Sequence, residues 1–157
     1  MVNSCSYVPV LQILVGGNTL LVVGGPQGAL FINQFMTGGS GFGYNLETKW
    51  TNGPYEMQDA AYGTPFQYGA VTLPAVDTYN VGVWKDSLPK DAKTYYAVGD
   101  VSVVFSIPAE AGQIVYIGYT YTEMVPAWTD VLLLAMRFHR EHKDKHRLSK
   151  ESSDDSY

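Results

Sequence analysis

Two hydrophobic periods divide the chain at Pro126. Before it, apolar and polar positions alternate or cluster in short runs broken by Gly, Pro, Asn or Asp; after it, apolar positions recur every three or four residues. Val8 to Val15 and Thr19 to Val23 flank Gly16-Gly17-Asn18, residues that tolerate positive φ, and this predicts a β-hairpin. Gly24-Gly25-Pro26-Gln27-Gly28 predicts a turn, Ala29 to Met36 a third strand, Gly38 to Gly41 a loop, and Gly41 to Trp50 a strand ending near the Asn52-Gly53-Pro54 turn. Further strands are predicted at Phe66 to Leu73, Thr78 to Trp84, Lys93 to Tyr96, Val101 to Ile107 and Gln113 to Thr122. In a regular strand Tyr95 and Tyr96 point to opposite faces, so at most one of them joins the core, and Tyr116 and Tyr119 cannot share a face.

Beyond Pro126, Val125, Trp128, Leu132, Met136 and His139 fall at helical spacing, as do Val131, Leu134 and Phe138. A helix is predicted from about Ala127 to His146, its first half apolar enough to pack on a sheet. The fold class that follows is all-β: an antiparallel β-sandwich or jelly-roll-like barrel with one C-terminal amphipathic helix and a disordered tail. The organisation is a β body over residues 1–125, a helix packed on it over 126–147, and a tail over 148–157.

Charge sharpens the division. The body holds nine acids and four lysines, whereas residues 126–157 hold six of each sign, so the net charge of −5 arises in the body. An acidic body disfavours nucleic acid as a partner. The longest apolar runs, such as Val131 to Met136, are far shorter than the ~20 residues of a membrane-spanning helix, and the apolar start is interrupted by Asn3, Ser4, Gln12 and Asn18, unlike a signal peptide.

Candidate chemistry is sparse. His139, His142 and His146 share one helical face, with His142 and His146 at the i, i+4 separation that chelates a divalent metal. No cysteine or well-placed carboxylate completes a rigid site and the order is not H-E-x-x-H, so the segment reads as a solvated helix end and no metal is expected. Gly38 to Gly43 lacks G-K-[ST], and Gly24-Gly25-Pro26 leads into a β pattern rather than a helix N-terminus, which argues against a phosphate loop. There is no G-x-S-x-G elbow, and every histidine lies in the terminal helix. Asp86 and Asp91 bracket Pro89-Lys90 in a loop, without the signature of a paired acid and base. No catalytic residue, cofactor or enzymatic activity is expected. Twelve tyrosines and three tryptophans are the chain's most distinctive resource, either as core or as a sugar- or protein-binding face.

The run Ala70-Val71-Thr72-Leu73-Pro74-Ala75-Val76-Asp77-Thr78-Tyr79-Asn80-Val81, followed by Phe105 to Gly118 with its Ala111-Gly112 turn and Val115-Tyr116-Ile117-Gly118, resembles small bacterial envelope β-sandwich domains of the PEGA-like and carboxypeptidase-regulatory-like kind. The resemblance covers about residues 66–135 and departs at Val76-Asp77, where such domains commonly place glycine. It implies an envelope-associated, non-catalytic domain. In that light Val2-Asn3-Ser4-Cys5 looks like the end of a lipoprotein cleavage box lacking its hydrophobic leader, and peripheral membrane anchoring would follow only if Cys5 is lipidated. Three functions are therefore expected to compete: a non-enzymatic structural or binding module of the envelope or periplasm that meets a protein partner or itself, a virion coat or tail protein assembling through neutral β faces, and a carbohydrate-binding module.

Overall fold

The computed structural model describes residues 13–37, 44–76 and 80–151, with residues 35–37 and 139–151 as backbone alone. Its elements are β1 (Thr19–Val23), α1 (Gly25–Thr37), β2 (Thr48–Thr51), β3 (Tyr55–Met57), β4 (Thr72–Leu73), β5 (Asn80–Trp84), β6 (Lys93–Val98), β7 (Val101–Ala109), β8 (Gly112–Ile117) and α2 (Pro126–Glu151), with 3-10 turns at Asp59–Ala61, Pro65–Tyr68 and Lys85–Ser87. The body is rich in strand and carries the C-terminal helix, as the two periods predict. The strands, however, form one open sheet in the order β1-β8-β7-β6-β3-β4, from which the β5–β2 pair branches.

The long strand β7 is the trunk of the sheet. β6 runs along one edge, while β5 takes the other edge at Val101 and Ser102 and β8 takes it from Val104 onward. Gly118 closes the gap between them, donating to Val103 O at 2.8 Å and accepting from Val81 N at 3.1 Å. A Cβ there would lie 2.2 Å from Val81 O, so the junction closes only around glycine. β1 pairs with β8 in parallel, Leu20 opposite Ile114 and Val22 opposite Tyr116. That pair makes the sheet mixed, and the expected antiparallel sandwich or barrel gives way to an open sheet with a helix on each face.

The side-chain period of two sorts the core accordingly. Phe105, Ile107, Ile114, Tyr116 and Val83 face Ala29 and Ile32 of α1, whereas Val104, Val115, Ile117 and both Tyr95 and Tyr96 face Trp128, Val131, Leu134 and Ala135 of α2. Tyr116 and Tyr119 fall in different clusters, in line with their spacing. Tyr95 and Tyr96 depart from expectation because the β6–β7 register slips: Thr94 pairs with Phe105 and Tyr96 with Val104, which makes Tyr95 the extra residue of a bulge. Both rings reach one core, Tyr95 Oη lying 2.7 Å from Ser106 Oγ and Tyr96 Oη donating to Ala70 O at 2.8 Å.

At the turn of the predicted N-terminal hairpin a helix ends; residues 8–12 of the predicted first strand lie outside the described residues. Residues 13–15 are helical, and Gly17 N donates to Leu14 O at 3.0 Å while Asn18 N donates to Ile13 O at 3.1 Å, the paired bonds of a Schellman cap. Gly17 has φ +72°, and a hairpin turn asks the same of its residues, so Gly-Gly-Asn fits both roles. Ala29 to Met36 is likewise helical rather than a strand. Pro26 suits a first helical turn, and Ala29 and Ile32, fully buried, lie three residues apart on the inward face. Phe66 to Tyr68 is a 3-10 turn, which leaves only Thr72–Leu73 of that predicted strand.

α2 begins at Pro126 and runs to Glu151, past the predicted end at 147 and into the predicted tail. Trp128 and Val131 are fully buried and Leu132 partly so, whereas Met136, counted in the inward stripe from sequence, is 60% exposed. His139, His142 and His146 lie on the α2 backbone and their side chains fall outside the described residues, as do Cys5 and residues 152–157.

Candidate functional site

β5 ends at Trp84, where the chain turns through Lys85–Ser87 instead of continuing along the sheet. The turn is closed by Leu88 N donating to Lys85 O at 3.1 Å and pinned to the β6–β7 connection by Lys85 N donating to Asp100 O at 2.9 Å. The segment entering β2 is fixed beside it. Trp84 N donates to Glu47 O at 2.9 Å, Glu47 N donates to Ser87 Oγ at 2.9 Å, and Ser87 Oγ donates to Trp84 O at 2.8 Å. One residue earlier, Asn33 of α1 clamps Leu46 from both sides, its Oδ1 accepting from Leu46 N at 2.7 Å and its Nδ2 donating to Leu46 O at 3.0 Å. Backbone and side-chain hydrogen bonds thus hold the segments that carry Glu47, Trp84, Asp86 and Ser87 around a surface cleft of about 290 Å³.

Glu47 and Lys49 lie on the same side of β2, and Trp84 joins that face through its pairing with Glu47. Lys49 Nζ consequently reaches a position 5.8 Å from the centroid of the Trp84 ring, within the range of a cation–π contact. Among the described residues neither carboxylate of the cleft takes part in an ion pair. The cleft therefore offers two carboxylates and Trp84, which is 37% exposed, while Lys49 leans on the same ring from outside the cleft lining.

A second polar feature lies at the opposite end of β5. Asn80 is fully buried and its amide has no hydrogen-bond partner on either atom; the same holds for Ser102 Oγ and Trp128 Nε1. Tyr55 borders both Asn80 and Trp128: its ring meets the indole edge-on at 5.5 Å and its hydroxyl donates to Thr51 O at 2.9 Å. Burial, the larger effect, pushes the Tyr55 phenol up, and its contact with Thr51 pulls the other way. This end is closed by stacking, since Tyr119 lies 5.0 Å from the other side of Trp128.

The turn at Gly24-Gly25-Pro26, expected to lead into a strand, opens helix α1 directly after β1. Strand, glycine turn and helix N-terminus are the backbone of a phosphate site. The turn and helix bring no basic side chain of their own, because the sequence has no lysine or arginine before Lys49. Among the described residues no three His, Cys, Asp or Glu side chains converge as metal ligands, and no helix is long and apolar enough to cross a membrane. Most described tyrosines are packing: Tyr55, Tyr95, Tyr96, Tyr116 and Tyr119 are fully buried, while Tyr62 and Tyr68 stand exposed.

Sequence reasoning placed Asp86 in a loop and Trp84 at a strand end but did not join them to Glu47, some forty residues away. No protein-family model, curated protein or solved structure matches the chain.

Proposed function

We propose that the protein is a non-catalytic binding module and that the Trp84 cleft takes a carbohydrate. The supporting observation is a half-exposed indole held rigidly beside two acceptor groups, Glu47 and Asp86, on a sheet edge. A sugar presents an apolar C–H face to stack on an aromatic ring and hydroxyl donors to reach carboxylates, and both needs are met within one cleft. The cleft's volume of about 290 Å³ suits a single ring or chain end rather than a long groove-bound polymer.

Assembly through bare β faces fits less well, because α1 covers one face of the central strands and α2 the other. The envelope setting rests on the resemblance of residues 66–135 and on Cys5, and it is compatible with a sugar-binding role. A glycan array probed with the labelled protein and with Trp84→Ala tests the reading. Wild type should bind a restricted set of saccharides and Trp84→Ala none of them, with both proteins equally folded by circular dichroism. A blank array, or equal binding by the variant, contradicts it.

A further inference from the structure

Resting on that carbohydrate reading, we infer that the cleft selects sugars bearing a free amine over their neutral N-acetylated or acidic counterparts. Glu47 and Asp86 line the cleft with two carboxylates, Lys49 reaches the Trp84 ring from beside it, and the surrounding body has nine acids to four lysines. Lys49 does not neutralise either carboxylate in an ion pair. Its ammonium instead lies 5.8 Å from the Trp84 centroid, the location at which the indole face draws in a cation. The contact marks where an ammonium group is favoured, and Lys49 is a tethered competitor for it. An incoming amino sugar displaces Lys49 from the ring or sits between the carboxylates, and in either place its ammonium meets charge that a neutral sugar leaves unused. An acidic sugar meets repulsion from both carboxylates. The backbone bonds that fix Glu47 and the 85–87 turn set where the two carboxylates emerge, so both are placed at the cleft before binding.

Removal of the Lys49 ammonium should therefore strengthen binding. Replacing Lys49 by methionine keeps the aliphatic stem, takes away the competing cation and leaves the cleft more negative. If Lys49 instead served as a direct hydrogen-bond donor to a sugar, the same change would weaken binding.

Isothermal titration of the full chain with a glucosamine tetramer and with its N-acetylated counterpart, at low ionic strength and a pH where the amine is protonated, decides the matter. The expected result is about tenfold tighter binding of the amine form, a further gain for Lys49→Met, and an amine-to-N-acetyl affinity ratio that falls to about one in the Glu47→Gln/Asp86→Asn double variant, whatever its overall affinity. Equal affinity for the two tetramers, or a preference that survives in the double variant, overturns amine selection and leaves the carbohydrate reading standing. Binding of neither tetramer, if the glycan array is also blank, removes both. Binding of neither tetramer while the array shows neutral saccharides removes amine selection alone.

Discussion

Trp128 and Trp84 lie toward opposite ends of β5 and are held in opposite ways. Trp128 is fully buried, edge-on to Tyr55 at 5.5 Å and stacked on Tyr119 at 5.0 Å, and its carbonyl accepts from Tyr121 Oη at 2.7 Å. Trp84 is 37% exposed, with a lysine ammonium at 5.8 Å and two carboxylates near it. The first is surrounded by groups that fill space and the second by groups that carry charge. An indole with aromatic neighbours on two sides stabilises the fold by dispersion and excluded water. An indole left at the sheet edge amid charges contributes little to folding and offers its face to something else.

The contrast is broken most directly by Trp128→Ala, which is expected to cost about 3–5 kcal/mol, against less than about 1 kcal/mol for Trp84→Ala. Urea denaturation of the two variants measures both. Matching midpoints would mean that the two tryptophans do not differ as described.

Alkaline pH attacks the same buried region. Burial pushes Tyr96 from its ordinary 10.0 up to about 12 and raises Tyr95, Tyr116 and Tyr121 as well. A phenol with a folded pKa above its unfolded value keeps the folded state more protonated. Its stabilising contribution is complete below pH 10 and is lost as pH rises from there toward 12. Denaturation midpoints should be flat from pH 8 to about 9.5 and then fall steeply, and a midpoint unchanged at pH 12 would contradict the burial of these rings.

Gly118→Ala probes the junction that sets β5 beside β8. The new methyl group would meet Val81 O at 2.2 Å, and the expected loss is about 1–3 kcal/mol by the same denaturation assay. A variant as stable as wild type would show that the branch has slack.

Asn80→Leu carries the opposite sign. An amide buried without partners is a standing cost, so a side chain of similar shape and no polar atoms should leave stability unchanged or raise it by up to about 1–2 kcal/mol. A loss beyond about 1 kcal/mol would show that the amide is satisfied in solution.

These variants also mark what the sequence made legible. The break at Pro126, the strands β5 to β8 and the inward placement of Trp128 follow from period and turn chemistry. The N-terminal third did not, because Gly-Gly-Asn caps a helix as readily as it turns a hairpin, and Ala29-Leu30-Phe31-Ile32 is a short apolar run that suits either element. Parallel pairing of β1 with β8 joins residues about ninety positions apart, and no local signal encodes it. The bulge at Tyr95 depends on β7, so alternation within β6 could not reveal it. For the cleft, Asp86 and Trp84 stand out locally as a turn acid and a strand-end aromatic. Glu47 becomes their neighbour only through the β2–β5 pairing and the clamp from Asn33. The three terminal histidines had the opposite profile, conspicuous in sequence while their side chains fall outside the described residues.

The central claim is that ligand meets Trp84 and leaves the packed tryptophan alone. The chain has three tryptophans, so its indole N–H groups give three cross-peaks in a nitrogen–proton correlation spectrum, assignable by single substitution. Titration with a saccharide selected from the array should move the Trp84 peak progressively to saturation while the Trp128 peak stays in place. A Trp84 peak that remains still while another indole or none responds would contradict the account.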